Sequence, residues 1–197
     1  MRGLLSLMNV YDFDRTIYPG DSSIHFWKFC MRRYPKTMRV IPRATVAIFR
    51  HKRGSCSWSD VMETFFTFLA HVPSVDEAVE AFWDKNGDKI YEWYLERRHD
   101  ADLIVSAAPV FLIAPICRRL GVDCIATEMD IKTGKISGKE CSGEEKSRRY
   151  SEKFGDTPIE SFYSDSLSDA PLARLASRAF RVDEGMISEW DFSLCEE

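Results

Sequence analysis

The 197-residue sequence has no run approaching the roughly 18 to 20 uninterrupted apolar residues that a membrane-spanning helix needs. Its N-terminal GLLSLMNVY is too short for a span and runs into the charged DFDRT without a small-residue cleavage site, which disfavours a secretory leader and leads to the expectation of a cytoplasmic protein. It lacks a Walker A loop and a Gly-x-Gly-x-x-Gly fingerprint, so nucleotide-driven motors and nicotinamide enzymes are without their phosphate loop. It also lacks the Gly-x-Ser-x-Gly elbow of serine hydrolases. The six cysteines never form Cys-x-x-Cys, and His25, His51, His71 and His99 show no ligand spacing, so the thiols are read as reduced and the imidazoles as packing or surface groups. With 27 Lys plus Arg against 31 Asp plus Glu, the net charge of −4 offers no global field for nucleic acid, and no such partner is expected.

What is present is 45% hydrophobic, enough to bury the core of one domain, or of a domain carrying a large insertion. Leu5 to Asp12 is mostly apolar and ends at a carboxylate, as a buried parallel strand opening into a site would. Asp102 to Ser106 and Ile159 to Asp165 repeat that shape, each followed by a helix-like segment: Val110 to Leu120, stopped by Gly121, and Ala170 to Ser177, entered through Pro171. Alternating strands and helices predict a doubly wound, Rossmann-like parallel sheet with ligands beyond the carboxyl ends of its strands, where Asp12, Ser106 and Asp165 would share one crevice. Ile125 to Lys139 has the pattern of a hairpin turning at Thr133-Gly134.

Residues 18–98 carry helical periodicity and dense aromatics, with Asp21, Ser59 or Asp60, and Ser74 as candidate N-caps. This predicts an all-helical cap inserted after the first strand, over an α/β core made of residues 1–17 and 99–197. Phe65, Phe66 and Phe68, with Trp83, Tyr91, Trp93 and Tyr94, are expected to form the cap's core. Ser22 to Ser59 holds nine Lys or Arg and no acid. That stretch reads either as a solvated basic face or as one that attracts a polyanionic substrate or anionic lipid headgroups.

Asp12 and Asp14 stand two residues apart where a strand should end, so a bend between them lets both carboxylates reach one ligand from different angles. One can attack phosphorus and carry an acyl phosphate, while the other gives a proton to the leaving oxygen and later takes one from water. Farther along come Ser106 in VSAAP, Lys146 in CSGEEK, and Asp165 and Asp169 in SDSLSDAP. In this order and on these elements, the motifs resemble the haloacid dehalogenase-like superfamily, and most closely its phosphoserine phosphatase-like branch, over nearly the whole chain.

The resemblance implies a phosphatase with Asp12 as nucleophile and Asp14 as general acid and base. It further implies phosphate or substrate contacts from Thr16, Ser106, Ala107 and Lys146. Mg²⁺ would be held by the Asp12 carboxylate, the Asp14 backbone carbonyl and Asp165, with Asp169 acting through water or Lys146. Asp21 is either the N-cap of the helix starting at Ser22 or a contact to a substrate amino group. Two departures stand out: Arg15 occupies a place where the family usually has a small residue such as Gly, and SDSLSDAP replaces the more usual Gly-Asp-Gly-x-x-Asp. The expected substrate is a small phosphomonoester. The alternatives are a phospholipid headgroup or other polyanionic substrate, or a non-catalytic module that binds phosphorylated ligands.

Overall fold

A computed structural model describes residues 8–195 of the chain. The expected first strand begins outside that range, and its described part is β1 (Met8–Tyr11). Five α-helices follow with short 3₁₀ turns between them: α1 (Ser22–Arg33), α2 (Ile41–Lys52), α3 (Trp58–Phe66), α4 (Val75–Asn86) and α5 (Glu92–Arg97). The chain then returns to sheet as β2 (Leu103–Pro109) and continues as α6 (Val110–Leu120), β3 (Asp123–Thr127), α7 (Glu144–Phe154), β4 (Ile159–Ser164), α8 (Ala170–Ala173), β5 (Ala176–Asp183) and β6 (Met186–Glu189).

The six strands lie in the order β3-β2-β1-β4-β5-β6, the first five parallel and β6 antiparallel to β5. This is the α/β, Rossmann-like sheet read from the sequence. Successive strands run outward from β1 in one direction and from β4 in the other, so the order reverses between these two neighbours. A crevice opens beyond their carboxyl ends at such a switch point. Asp12 follows β1 directly, and Asp165 follows β4 directly.

Three local expectations are corrected. The helix read over Ala170 to Ser177 is only the four-residue α8, because Ala176 already pairs with Ile159 and opens β5. There Phe180 stacks on Tyr163 at 4.9 Å and Val182 is fully buried, a gain in sheet packing that outweighs the short helical pattern. The hairpin read from Ile125 is shorter, since Asp123–Thr127 pairs in parallel with β2 and the only bridge between the hairpin arms joins Met129 to Ile136 among the described residues. Its turn does use Gly134, at φ +72°, where a Cβ would stand 2.8 Å from the Phe66 carbonyl carbon, so the tip rests directly on the end of α3. Finally, α3 is capped by Ser57, with Asp60 completing the reciprocal capping box from the third helical position.

The caps at Asp21 and Ser74 are as read, their side chains accepting from the Ile24 and Glu77 amides. Gly121 stops α6 in the left-handed conformation that favours glycine. Phe66, Phe68, Trp83 and Tyr94 are fully buried, Phe65, Tyr91 and Trp93 partly so. The helices between β1 and β2 share one hydrophobic cluster with the sheet: Phe26, Phe66, Phe82 and Trp83 pack with Phe13, Tyr18, Ile104 and Leu112. Each such side chain contributes about 1.5–3 kcal/mol on burial, and the Trp83 indole N–H is satisfied by the Leu112 carbonyl at 2.7 Å. All six cysteines are free thiols. No helix among the described residues is long and apolar enough to cross a membrane.

Candidate active site

Asp12 leaves β1 with its amide still donating to the Tyr163 carbonyl of β4 at 2.9 Å, which holds its carboxylate at the sheet's switch point. The backbone then turns sharply. Arg15 adopts φ +58°, its amide donates to the Gly20 carbonyl, and Asp14 swings round to accept the Ser22 amide at 2.8 Å at the start of α1. The two carboxylates are thereby presented to one cavity from different directions.

That cavity, of about 360 Å³, is lined by Asp12, Asp14, Asp21, Ser106, Ala107, Lys146, Asp165 and Asp169, together with Arg15. Residues from six separate segments converge there: most sit at a strand end or a helix start, while Ser106 and Ala107 come from within β2. Lys146, in the first turn of α7, bridges two carboxylates: its Nζ lies 2.5 Å from Asp12 Oδ1 and 2.6 Å from Asp169 Oδ2. Asp169 also accepts the Ser164 hydroxyl at 2.7 Å. Ser106 accepts the Ala108 amide at 3.1 Å.

Thr16, read as a phosphate contact, is not among the residues that line the cavity. It is fully buried behind the cavity wall, donating its hydroxyl to Asp12 Oδ2 at 3.2 Å and accepting the Asp165 amide at 3.0 Å. It therefore ties the ends of β1 and β4 together and positions Asp12 from behind. Asp21 caps α1, as one of its readings had it, and its carboxylate also lines the cavity.

The electrostatics are those of crowded carboxylates drawn out of water. Burial pushes Asp12 up to about 6, against the pull of the Lys146 charge. Burial, reinforced by the Asp21 charge, raises Asp14 well above the usual carboxylate range. Asp165 is raised by burial, with Arg15 opposing. Burial disfavours the Lys146 charge, but the attraction of Asp12 and Asp169 outweighs it and holds the ammonium above its ordinary value.

The haloacid dehalogenase-like hydrolase family model matches residues 10–174. The chain belongs to the haloacid dehalogenase-like hydrolase family. It is 27% identical over 196 residues to protein CicA of Caulobacter vibrioides, spanning 91% of this chain and 87% of that protein. A Bordetella pertussis Tohama I protein of unknown function superposes with a TM-score of 0.72 at 26% identity, over 88% of this chain and 87% of the other. A phosphoserine phosphatase, solved as a phospho-aspartyl intermediate analogue, shares the fold at a TM-score of 0.56 and 15% identity, over 88% and 84% of the two chains.

Within this haloacid dehalogenase-like frame, two cavity residues had no local signal in the sequence. Trp58, the first residue of α3, reaches the cavity while remaining half exposed. Glu140, before α7, has its carboxyl raised by burial and partly relieved by Ser59. Trp58 comes from the helical insertion, whereas Glu140 precedes α7 in the core, next to Cys141, whose amide donates to the Thr127 hydroxyl of β3 at 2.9 Å.

Arg15 is the family's small-residue position filled by a large one, and the φ of +58° gives the reason for a small residue there: glycine adopts it without a Cβ penalty. Arg15→Gly is expected to stabilise the chain by about 1 kcal/mol through relief of that strain. Thermal and urea denaturation would read this, and a lower midpoint would mean that contacts of the Arg15 side chain outweigh the backbone cost.

Proposed function

We propose that this haloacid dehalogenase-like hydrolase is a Mg²⁺-dependent phosphomonoesterase that acts on a small phosphorylated substrate through an aspartyl-phosphate intermediate. The observation that carries the reading is the buried Lys146 ammonium between Asp12 and Asp169, beside Asp14 and Ser106 in one cavity. A lysine placed there binds a phosphoryl oxygen and keeps Asp12 ionised and oriented. An Asp12 oxygen attacks phosphorus, the bond to the leaving oxygen breaks, and Asp14, raised so that it holds a proton, protonates that oxygen. Water then attacks the acyl phosphate, Asp14 takes its proton, and phosphate leaves with Asp12 restored. Ser106, within the neighbouring strand β2 and lining the cavity, donates its hydroxyl to a phosphoryl oxygen in this reading.

The donor set fits Mg²⁺: Asp12, Asp14 and Asp165 offer only oxygen, and their crowding is relieved by a cation. Among the described residues no three His, Cys, Asp or Glu side chains form a ready metal cage. Mg²⁺ characteristically takes one or two carboxylates and completes its shell with water and substrate phosphate. Bound there, Mg²⁺ supplies charge neutralisation of the phosphoryl oxygens. Because Asp12 must lose its proton to ligate, Mg²⁺ affinity measured by calorimetry should fall about tenfold for each pH unit well below 6. A flat profile between about pH 5 and 8 would remove Asp12 from the ligand set.

Residues 18–98 serve in this reading as the cap, and residues 1–17 with 99–197 as the catalytic core. The hydrophobic cluster that cap and core share favours local movement at the Trp58 corner over a swing of the whole cap. The test is phosphate release from a panel of phosphomonoesters that includes phosphoserine and a lysophospholipid phosphate, with Mg²⁺ and with EDTA. Metal-dependent release supports the proposal. No release from any member, in protein shown to bind Mg²⁺, overturns it, and retained binding of phosphorylated ligands would then favour a non-catalytic binding module.

A further inference from the structure

The helix α2 is unusual in this fold because it has almost no inner face: of its twelve residues only Ala47 is fully buried. At about 100° per residue, Ile41, Pro42, Thr45, Val46, Ile48 and Phe49 fall on one continuous strip. All six are exposed, Val46 by 59% and Phe49 by 53%. Met38, in the turn just before, extends the strip. Six of the eleven exposed large hydrophobic residues among the described residues lie between Met38 and Trp58, so this is a patch and not a scatter.

Cations frame the strip. Arg39, Arg43, Arg50, Lys52 and Arg53 are all exposed, and no ion pair among the described residues includes any of them. The Arg53 guanidinium lies over the Phe49 ring at 4.1 Å, an arrangement that keeps an apolar ring and a charged head at the same level. Residues 22–59 contain no acid at all, although the whole chain has a net charge of −4. The complementary surface is therefore anionic and apolar at once. On the other side of the helix, His51 meets Trp58 edge to face at 5.5 Å, and Trp58 lines the catalytic cavity.

We propose that the exposed face of α2 docks on a bilayer carrying anionic lipid. Val46, Ile48 and Phe49 enter the boundary between headgroups and acyl chains, the arginines lie among the lipid phosphates, and the cavity that Trp58 lines stands behind the helix, facing away from the bilayer. The docking does not depend on the chemistry inside the cavity. Its corollary, that the phosphomonoester taken up is carried on a lipid, rests on the phosphatase reading above.

The test is cosedimentation of the full chain with vesicles of phosphatidylcholine alone and of phosphatidylcholine with about one third phosphatidylglycerol. The expected result is association with the anionic vesicles only, weakened about tenfold or more as salt is raised to about 0.5 M. The double variants Val46→Glu with Phe49→Glu, and Arg43→Gln with Arg50→Gln, should each lower vesicle affinity about tenfold or more. Both pairs are exposed and outside the catalytic machinery, so circular dichroism and turnover of a water-soluble phosphomonoester should be unchanged. The proposal is overturned by absence of association with either vesicle, by association that survives in both variants, or by a solution dimer that the Val46→Glu, Phe49→Glu variant dissociates. A chain that binds Mg²⁺ and anionic vesicles yet releases phosphate neither from soluble phosphomonoesters nor from a lipid phosphomonoester in those vesicles would strike the phosphatase reading and leave the docking standing. An active chain indifferent to vesicles would do the reverse.

Discussion

Asp12→Asn is expected to lower turnover on the order of 10⁴-fold or more while the chain remains folded. The amide is isosteric and leaves the backbone bond to Tyr163 and the hydroxyl of Thr16 with partners. Lys146 keeps Asp169 as its counter-charge. What disappears is the group proposed to make the acyl phosphate: a carboxylate at the end of β1 whose Oδ1 is held by Lys146 at 2.5 Å. Burial also holds the native carboxylate at about 6, so at neutral pH the protein sustains a charge in a site that disfavours it. A carboxylate raised in this way gives stability that is complete at low pH and lost as pH climbs toward 6. Asp12→Asn should therefore equal or exceed the native chain in urea denaturation at neutral pH. Circular dichroism, urea titration and phosphate release on the same preparation would check both halves, and substantial residual turnover would sink the covalent mechanism.

Lys146→Met is expected to cost about 3–5 kcal/mol at about pH 8, the range seen when one member of a buried ion pair is removed. The lysine is 2% exposed and bonded to two carboxylates that would be left facing each other without it. The penalty should shrink as pH falls. Without the ammonium, Asp12 is pushed up further, and a raised carboxylate recovers stability on protonation, so the variant should be more stable at about pH 5 than at about pH 8. Urea midpoints at the two values decide it: a penalty independent of pH would mean that the loss is one of packing. Turnover should be abolished at both, since the phosphate contact proposed for Lys146 and the orientation of Asp12 go together.

The chemistry-bearing residues were legible because each lies within a short segment with its own punctuation. Asp12 and Asp14 end an apolar run, Asp165 ends another, and Lys146 opens a helix after Ser142-Gly143. Local patterning of that kind follows from burial of strands and from backbone geometry at their ends, and the sequence alone carries both. The doubly wound sheet, the helical insertion and the shared crevice of Asp12, Ser106 and Asp165 follow from the same signals. The basic, acid-free stretch of residues 22–59 is likewise a property of composition.

Tertiary structure decided the rest. Ala176–Asp183 became a strand because β4 offered a partner and Tyr163 a ring for Phe180 to stack on, gains that depend on residues far away in sequence. Thr16 became a tie between two strand ends, which only the register of β1 against β4 determines. Trp58 reached the cavity through the docking of α3 and Glu140 through the loop between β3 and α7, and the apolar face of α2 is exposed because no other element covers it among the described residues. Local pattern fixes which residues want to be buried and where the chain turns. Which distant groups meet is settled by the packing of the whole core, because those contacts have no stabilising value until the sheet has formed.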